Sequence, residues 1–137
     1  MMKHTILILF LFLSLLCHGQ SYKFFTTDRE LSSSLINKIY QDRNGMIWIA
    51  TEDGLNRYDG AKFITYKHDP ENEYSLCHNY VRVLYEDSKG RLFVGTYNGI
   101  QLYDPETDSF SARAQWEDGK TFDSNIMSIL ERRNGEI

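Results

Sequence analysis

Apolar and polar positions along this chain fall into short β-like runs separated by turn residues. Ile36, Ile39 and Tyr40 mark an apolar segment over 36–41. Met46-Ile47-Trp48-Ile49-Ala50-Thr51 is nearly continuous in apolar character, the pattern of a strand covered on both faces. Leu55 to Tyr58 reads as a third strand, and Lys62 to Tyr66 as a fourth that alternates around Phe63 and Ile64. Asn44-Gly45 predicts a type I′ hairpin, since both residues tolerate positive φ. Asp53-Gly54 and Asp59-Gly60 predict two further turns. The unit is thus four short strands joined by hairpins.

The pattern then repeats. Residues 36–51 align with 81–96 at an offset of 45, without a gap. Asp42, Gly45, Trp48, Thr51, Gly54 and Tyr58 correspond to Asp87, Gly90, Phe93, Thr96, Gly99 and Tyr103. A third copy starts on schedule, with Ile126, Ile129 and Gly135 standing 45 beyond Val81, Leu84 and Gly90. A tandem four-stranded meander of this length is the unit of a β-propeller blade. The expected fold is therefore all-β: an incomplete β-propeller of two four-stranded antiparallel blades plus the start of a third. The expected boundaries are a signal peptide over 1–19, a lead-in over 20–30, blades over 31–75 and 76–120, and a truncated third blade over 121–137. Blades bury their faces against each other, so Trp48 and Phe93 are expected to fill inter-blade space. Propellers close with about 4–8 blades. The chain therefore reads as truncated, expected to expose blade faces and to aggregate if made alone.

The first residues differ from the rest. Lys3 precedes an apolar stretch from Ile6 to Leu16, broken only by Ser14. That is the length of a signal-peptide core and short of the ~20 residues of a membrane span. Cys17-His18-Gly19 places small residues for cleavage after Gly19, so the mature chain is expected to begin at Gln20. Lipoprotein processing at Cys17 is the competing reading, disfavoured by Leu16 immediately before it. No later apolar run approaches membrane length. Export, to the periplasm of a Gram-negative bacterium, is the expected fate.

Composition narrows the function classes. At 137 residues the chain has no room for a (β/α)₈ barrel of ~250 residues. Its 42% hydrophobic and 14% aromatic content excludes wholesale disorder. Net charge moves from −4 to −5 on cleavage, because Lys3 is the one Lys, Arg, Asp or Glu removed. That acidity gives no reason to expect nucleic acid. Of the 2 cysteines only Cys77 survives cleavage, so no internal disulfide can staple the fold.

The joint pattern resembles the two-component regulator propeller repeat. It runs Leu35-Ile36, Ile39, Asp42, Gly45, Trp48-Ile49, Thr51, Gly54-Leu55 and Tyr58. The second copy matches through Asp87, Gly90, Gly95, Thr96, Gly99, Tyr103 and Asp104, with Phe93 for the family's Trp. The first copy carries Ala50 for the family's Gly. The resemblance covers about 31–137. It implies the N-terminal periplasmic sensor region of a Bacteroidetes-type hybrid sensor histidine kinase, with further blades, dimerisation and oligosaccharide ligands in the parent. No kinase phosphoacceptor segment or nucleotide-binding glycine motif stands in this chain, so kinase activity is assigned to that parent.

Other chemistry finds little support in the residues. Asp42 and Asp87 read as carboxylates that bond the N–H groups of their own turns. The same stretch fails as an EF-hand, because Gly arrives too soon and the flanks are strands. His68 and His78 lack partners at zinc spacing, no Gly-x-Ser-x-Gly elbow appears, and no carboxylate pair is singled out for glycoside hydrolysis. No metal, cofactor or catalytic residue is expected. The copies diverge in the inter-blade loops, Lys67 to Asn79 and Ala112 to Ser124. Loops on one propeller face carry recognition, so Tyr74 and Trp116 are candidates to stack on sugar rings. The leading expectation is an extracytoplasmic ligand-sensing propeller segment. The alternatives are a fragment of an exported propeller lyase or glycoside hydrolase, or a secreted binding scaffold.

Overall fold

The structure is a computed structural model that describes residues 22–27, 30–115 and 118–137. The expected signal segment and Trp116 lie outside the described residues. All regular structure among the described residues is β. Strands β1 (Ile36–Gln41), β2 (Ile47–Thr51), β3 (Gly54–Tyr58) and β4 (Phe63–Tyr66) form one antiparallel sheet in sequence order. Strands β5 (Val81–Glu86), β6 (Leu92–Thr96), β7 (Gly99–Asp104) and β8 (Ser109–Phe110) form a second sheet of the same order. The all-β fold of two four-stranded antiparallel units is as the repeat predicts, and both sheets are open.

The hairpin chemistry differs from the expectation at two turns. Gly45 has φ +84, but Asn44 is not in the positive-φ region, so the β1–β2 turn is not type I′. The Asp42 carboxylate accounts for this. Its Oδ1 accepts the N–H groups of Asn44 and Met46, both at 2.9 Å, while Gly45 N–H donates to the Asp42 carbonyl. One left-handed glycine then suffices to return the chain to the ladder. In the next hairpin Thr51 pairs with Gly54, so the two loop residues are Glu52 and Asp53, not Asp53 and Gly54. The Thr51 hydroxyl accepts from Asp53 N–H and donates to the Gly54 carbonyl. Thr96 repeats this with Asn98 and Gly99.

The two copies solve one problem with different residues. Trp48 Nε1 donates to Asp42 Oδ2 at 2.8 Å. Phe93 has no N–H to offer, and Arg91 takes that place: its Nε donates to Asp87 Oδ2 at 2.6 Å and its guanidinium covers the Phe93 ring at 5.3 Å. Burial pushes the Asp87 carboxyl up, but the Arg91 backbone and side-chain bonds outweigh it and hold the group below its ordinary range. At the third copy Arg132 stands where Asp87 and Asp42 stand, and it pairs with Glu136 at 3.3 Å. The ion pair keeps its spacing and reverses its sign. That third turn forms through Gly135 N–H to the Arg132 carbonyl, although residues 122–137 contain no strand.

Packing between the sheets places the core. Trp48, Leu55, Leu84, Val94, Tyr103 and Phe110 belong to one buried cluster that spans both. Val81 and Leu84 of β5 are 0% and 4% exposed against the first sheet, while the equivalent Ile36 and Ile39 of β1 are 44% and 59% exposed. The same positions are thus buried only where a neighbouring sheet covers them. Trp48 is 1% exposed and meets Tyr103 edge-on, with ring centroids 4.7 Å apart. It fills inter-blade space as expected. Phe93 is only half-buried and lines an open apolar groove beside Ile129 and Leu130.

Two polar devices cross the interface. Glu86 accepts the Tyr40 hydroxyl at 3.0 Å, the Arg43 N–H at 3.1 Å and Arg43 Nε at 2.5 Å. One period later, Glu131 accepts the Ser88 N–H at 2.9 Å, the Ser88 hydroxyl at 2.6 Å and the Tyr85 hydroxyl at 3.4 Å. At the outer edge Arg57 lies within 5.8 Å of the Trp48, Tyr66 and Tyr103 ring centres and pairs with Asp108 Oδ1 at 2.9 Å. Asp108 also accepts the hydroxyls of Tyr66 and Tyr103 at 2.5 and 2.7 Å.

Candidate functional site

The two loops that diverge in sequence meet on one side of the second sheet. Leu76, fully buried, anchors the first loop. His68 N–H donates to Asn79 Oδ1 at 2.7 Å, and His68 Nδ1 lies 2.6 Å from the Leu76 carbonyl. A carbonyl only accepts, so Nδ1 carries a hydrogen, and in the neutral ring Nε2 keeps the lone pair. Gln101, 3% exposed, ties this loop to β7: its Oε1 accepts Cys77 N–H at 2.7 Å, and its Nε2 donates to the Ser75 and Ser111 carbonyls. Asn56 stands 45 residues earlier and binds the incoming backbone at Ser32 in the same manner.

The second loop closes the other side. Gln115 and Thr121 form a β-bridge, and Gly99 N–H donates to the Ser124 carbonyl at 2.9 Å. Only glycine fits at 99. Its φ is +114, and a Cβ there would stand 2.7 Å from the Phe122 carbonyl oxygen.

Between the loops lies a polar cavity of about 390 Å³, lined by side chains that include His68, Asp69, Glu73, Gln101, Arg113 and Gln115. Cys77 lines it as well, its sulfur 3.1 Å from the Thr96 hydroxyl. Burial pushes the Cys77 thiol up, which keeps it protonated and poorly nucleophilic at neutral pH. The cations of this end are all engaged: Lys67 with Asp53 at 2.6 Å, Arg113 with Asp123 at 2.5 Å and Lys120 with Asp118 at 2.8 Å. The cavity therefore offers amide, hydroxyl, imidazole and carboxylate groups. Those are the donors and acceptors of a polyhydroxylated ligand, and they form no metal cluster among the described residues.

Of the two sequence-predicted contacts, only Tyr74 lies among the described residues. Tyr74 is exposed on the far side of its loop, with its carbonyl accepting Phe110 N–H at 2.9 Å. It lines a separate depression with Tyr103 and Phe110, although its neighbours Glu73 and Ser75 line the cavity. Trp116 lies outside the described residues, next to the lining residue Gln115. Sequence reasoning missed Gln101, whose signal was its 45-residue correspondence to Asn56. It also missed a second aromatic group at the hairpin end of the same sheet: Tyr97, half-exposed, stands 6.1 Å from Tyr80 and 5.7 Å from His78 between ring centroids, and Tyr80 donates to Glu52 at 3.0 Å.

Comparison with known proteins adds the context. Residues 30–53 and 75–98 match the family described as Two component regulator propeller. Histidine kinase P4 of Formosa agariphila is 40% identical over 73 residues, a match covering 50% of this chain and 5% of that protein. Among solved structures, the extracellular domain of a protein described as the hybrid two component system BT3049 from B. thetaiotaomicron aligns over 82% of this chain and 16% of its own. The TM-score is 0.69 at 28% identity. The extracellular domain of BT4673 from the same organism shares the fold, with a TM-score of 0.58 at 23% identity over 78% of this chain and 15% of that one. The chain thus spans a small part of each relative's length. Among the described residues no helix is long and apolar enough to cross a membrane.

Proposed function

We propose that this chain, built from two-component regulator propeller repeats, is a ligand-sensing extracytoplasmic segment of a two-component sensor that acts by binding and performs no chemistry of its own. The observation that carries the reading is the likeness, over 82% of the chain at TM-score 0.69, to the extracellular domain of a protein described as a hybrid two component system. The ligand is an oligosaccharide or similar small polyol. It is held in the polar cavity between the inter-blade loops, and Trp116 remains the candidate residue for stacking on a sugar ring. Further blades of the parent cover the open sheet faces, and a partner copy pairs with it there. Export to the periplasm follows from cleavage after Gly19. Binding at the inter-blade loops would favour one arrangement of neighbouring blades, and that population shift is the signal.

Calorimetric titration of the full chain with a panel of soluble oligosaccharides tests the reading. Saturable binding weakened by Trp116→Ala and unchanged by Tyr74→Ala is the expected result. Absence of binding to every saccharide would reject ligand sensing by this segment. Binding lost with Tyr74→Ala alone would move the site to the outer depression.

A further inference from the structure

We infer that the cavity between the inter-blade loops selects uncharged polyhydroxylated ligands and excludes uronates and sulfated sugars, with the Arg113–Asp123 pair as the determinant. This rests on the sensing reading above.

The described residues of the loops at this end, 52–53, 67–80, 97–98, 111–115 and 118–125, carry seven carboxylates against three Lys or Arg. Each of the three cations is matched to a carboxylate at 2.8 Å or less. Lys67 and Lys120 pair away from the cavity wall, since neither lines it. Arg113 does line it, and Asp123 Oδ1 takes its Nη1 at 2.5 Å. Its aliphatic stem runs across Gly99, where a Cβ would meet Arg113 Cδ at 3.3 Å, so its position is set from two sides. An anionic ligand entering the cavity would meet Asp69 and Glu73 with no cation released to receive it. Like charges brought together at such a site suppress the wrong partner. A neutral sugar avoids that repulsion. Its hydroxyls can donate to His68 Nε2 and the carboxylates and accept from the side-chain amides.

The pair also provides the test, because removing the Asp123 charge frees Arg113 without altering the groups that a neutral sugar would use. Asp123 is exposed, so Asp123→Asn should leave the fold intact, as circular dichroism checks. A neutral gluco- and manno-oligosaccharide mixture and an oligogalacturonate mixture are titrated into the full chain, the Asp123→Asn variant, and an Asp118→Asn control that frees only Lys120. The expected result is neutral binding by all three and oligogalacturonate binding gained by Asp123→Asn alone. The gain should be roughly tenfold or more, the size of one charge-assisted hydrogen bond. Equal binding of both mixtures by the unmodified chain overturns the selectivity and leaves the sensing reading standing. The same gain in Asp118→Asn, or no gain in Asp123→Asn, overturns the role of Arg113. Binding of neither mixture by any of the three overturns the sensing reading and this inference with it.

Discussion

Replacing Trp48 with Phe in the first blade should create the defect that the second blade has already repaired. Trp48 Nε1 supplies Asp42 Oδ2 with its hydrogen bond at 2.8 Å. Phe leaves that half-buried carboxylate oxygen one donor short, at a cost of about 1–3 kcal/mol, and the smaller ring leaves a void against Tyr66 and Tyr103. Together these put Trp48→Phe at about 2–4 kcal/mol of destabilisation. Residue 46 is the first-blade equivalent of Arg91, which bonds Asp87 Oδ2 and covers Phe93 in the second blade. Met46→Arg in the Trp48→Phe background should therefore return the carboxylate's partner. The Arg91 side chain is 43% exposed, so solvent screening limits the recovery to ~1 kcal/mol. In the unmodified chain the same oxygen is already occupied by the indole, and Met46→Arg alone should bring ~0.5 kcal/mol or less. Urea denaturation followed by circular dichroism on the four proteins gives the coupling energy. If Met46→Arg shifts stability equally in both backgrounds, within about 0.5 kcal/mol, Arg91 is not the substitute for the indole N–H.

Gly95→Ala should destabilise, because its Cβ would lie 2.7 Å from Ile126 Cγ2, and the loss should shrink without vanishing in an Ile126→Ala background, where the Cβ atoms of residue 126 at 3.0 Å and Val83 at 3.3 Å remain; thermal melts that show an equal loss in both backgrounds would refute the contact. At alkaline pH the Arg57–Asp108 cluster should resist ionisation. Burial, and then the hydrogen bond to Asp108, push Tyr103 up to about 12, and the same two causes raise Tyr66. A group raised in the folded state contributes stability that is complete below its unfolded value near 10 and is lost as pH rises through the folded value. Stability should therefore fall between about pH 10 and 12, with Asp108→Asn narrowing that window from its upper end and reducing the loss; ultraviolet titration in which every tyrosine ionises near pH 10 would contradict it.

Much of the blade was legible from the chain alone because its determinants are local. Alternating apolar runs, Asp and Gly at the turns and Thr before each short loop fix strand order and length, and a 45-residue offset shows that the arrangement occurs twice. The site was not legible, because no local rule brings the loop around His68 to the loop around Arg113. That meeting depends on Gln101 bonding Ser75, Cys77 and Ser111 at once. Tyr74 was a reasonable candidate by residue type and loop, but its backbone bond to Phe110 places it on the outer side. The turn at Asn44 was legible in part: the Asp42 carboxylate bonds the N–H groups of its own turn as its residue type and position imply, and only the type I′ geometry differs. Ile39 and Leu84 mark the boundary most clearly. The sequence by itself made both strand residues with apolar side chains, and only the tertiary structure buried one and exposed the other, because burial depends on whether a neighbouring sheet stands opposite.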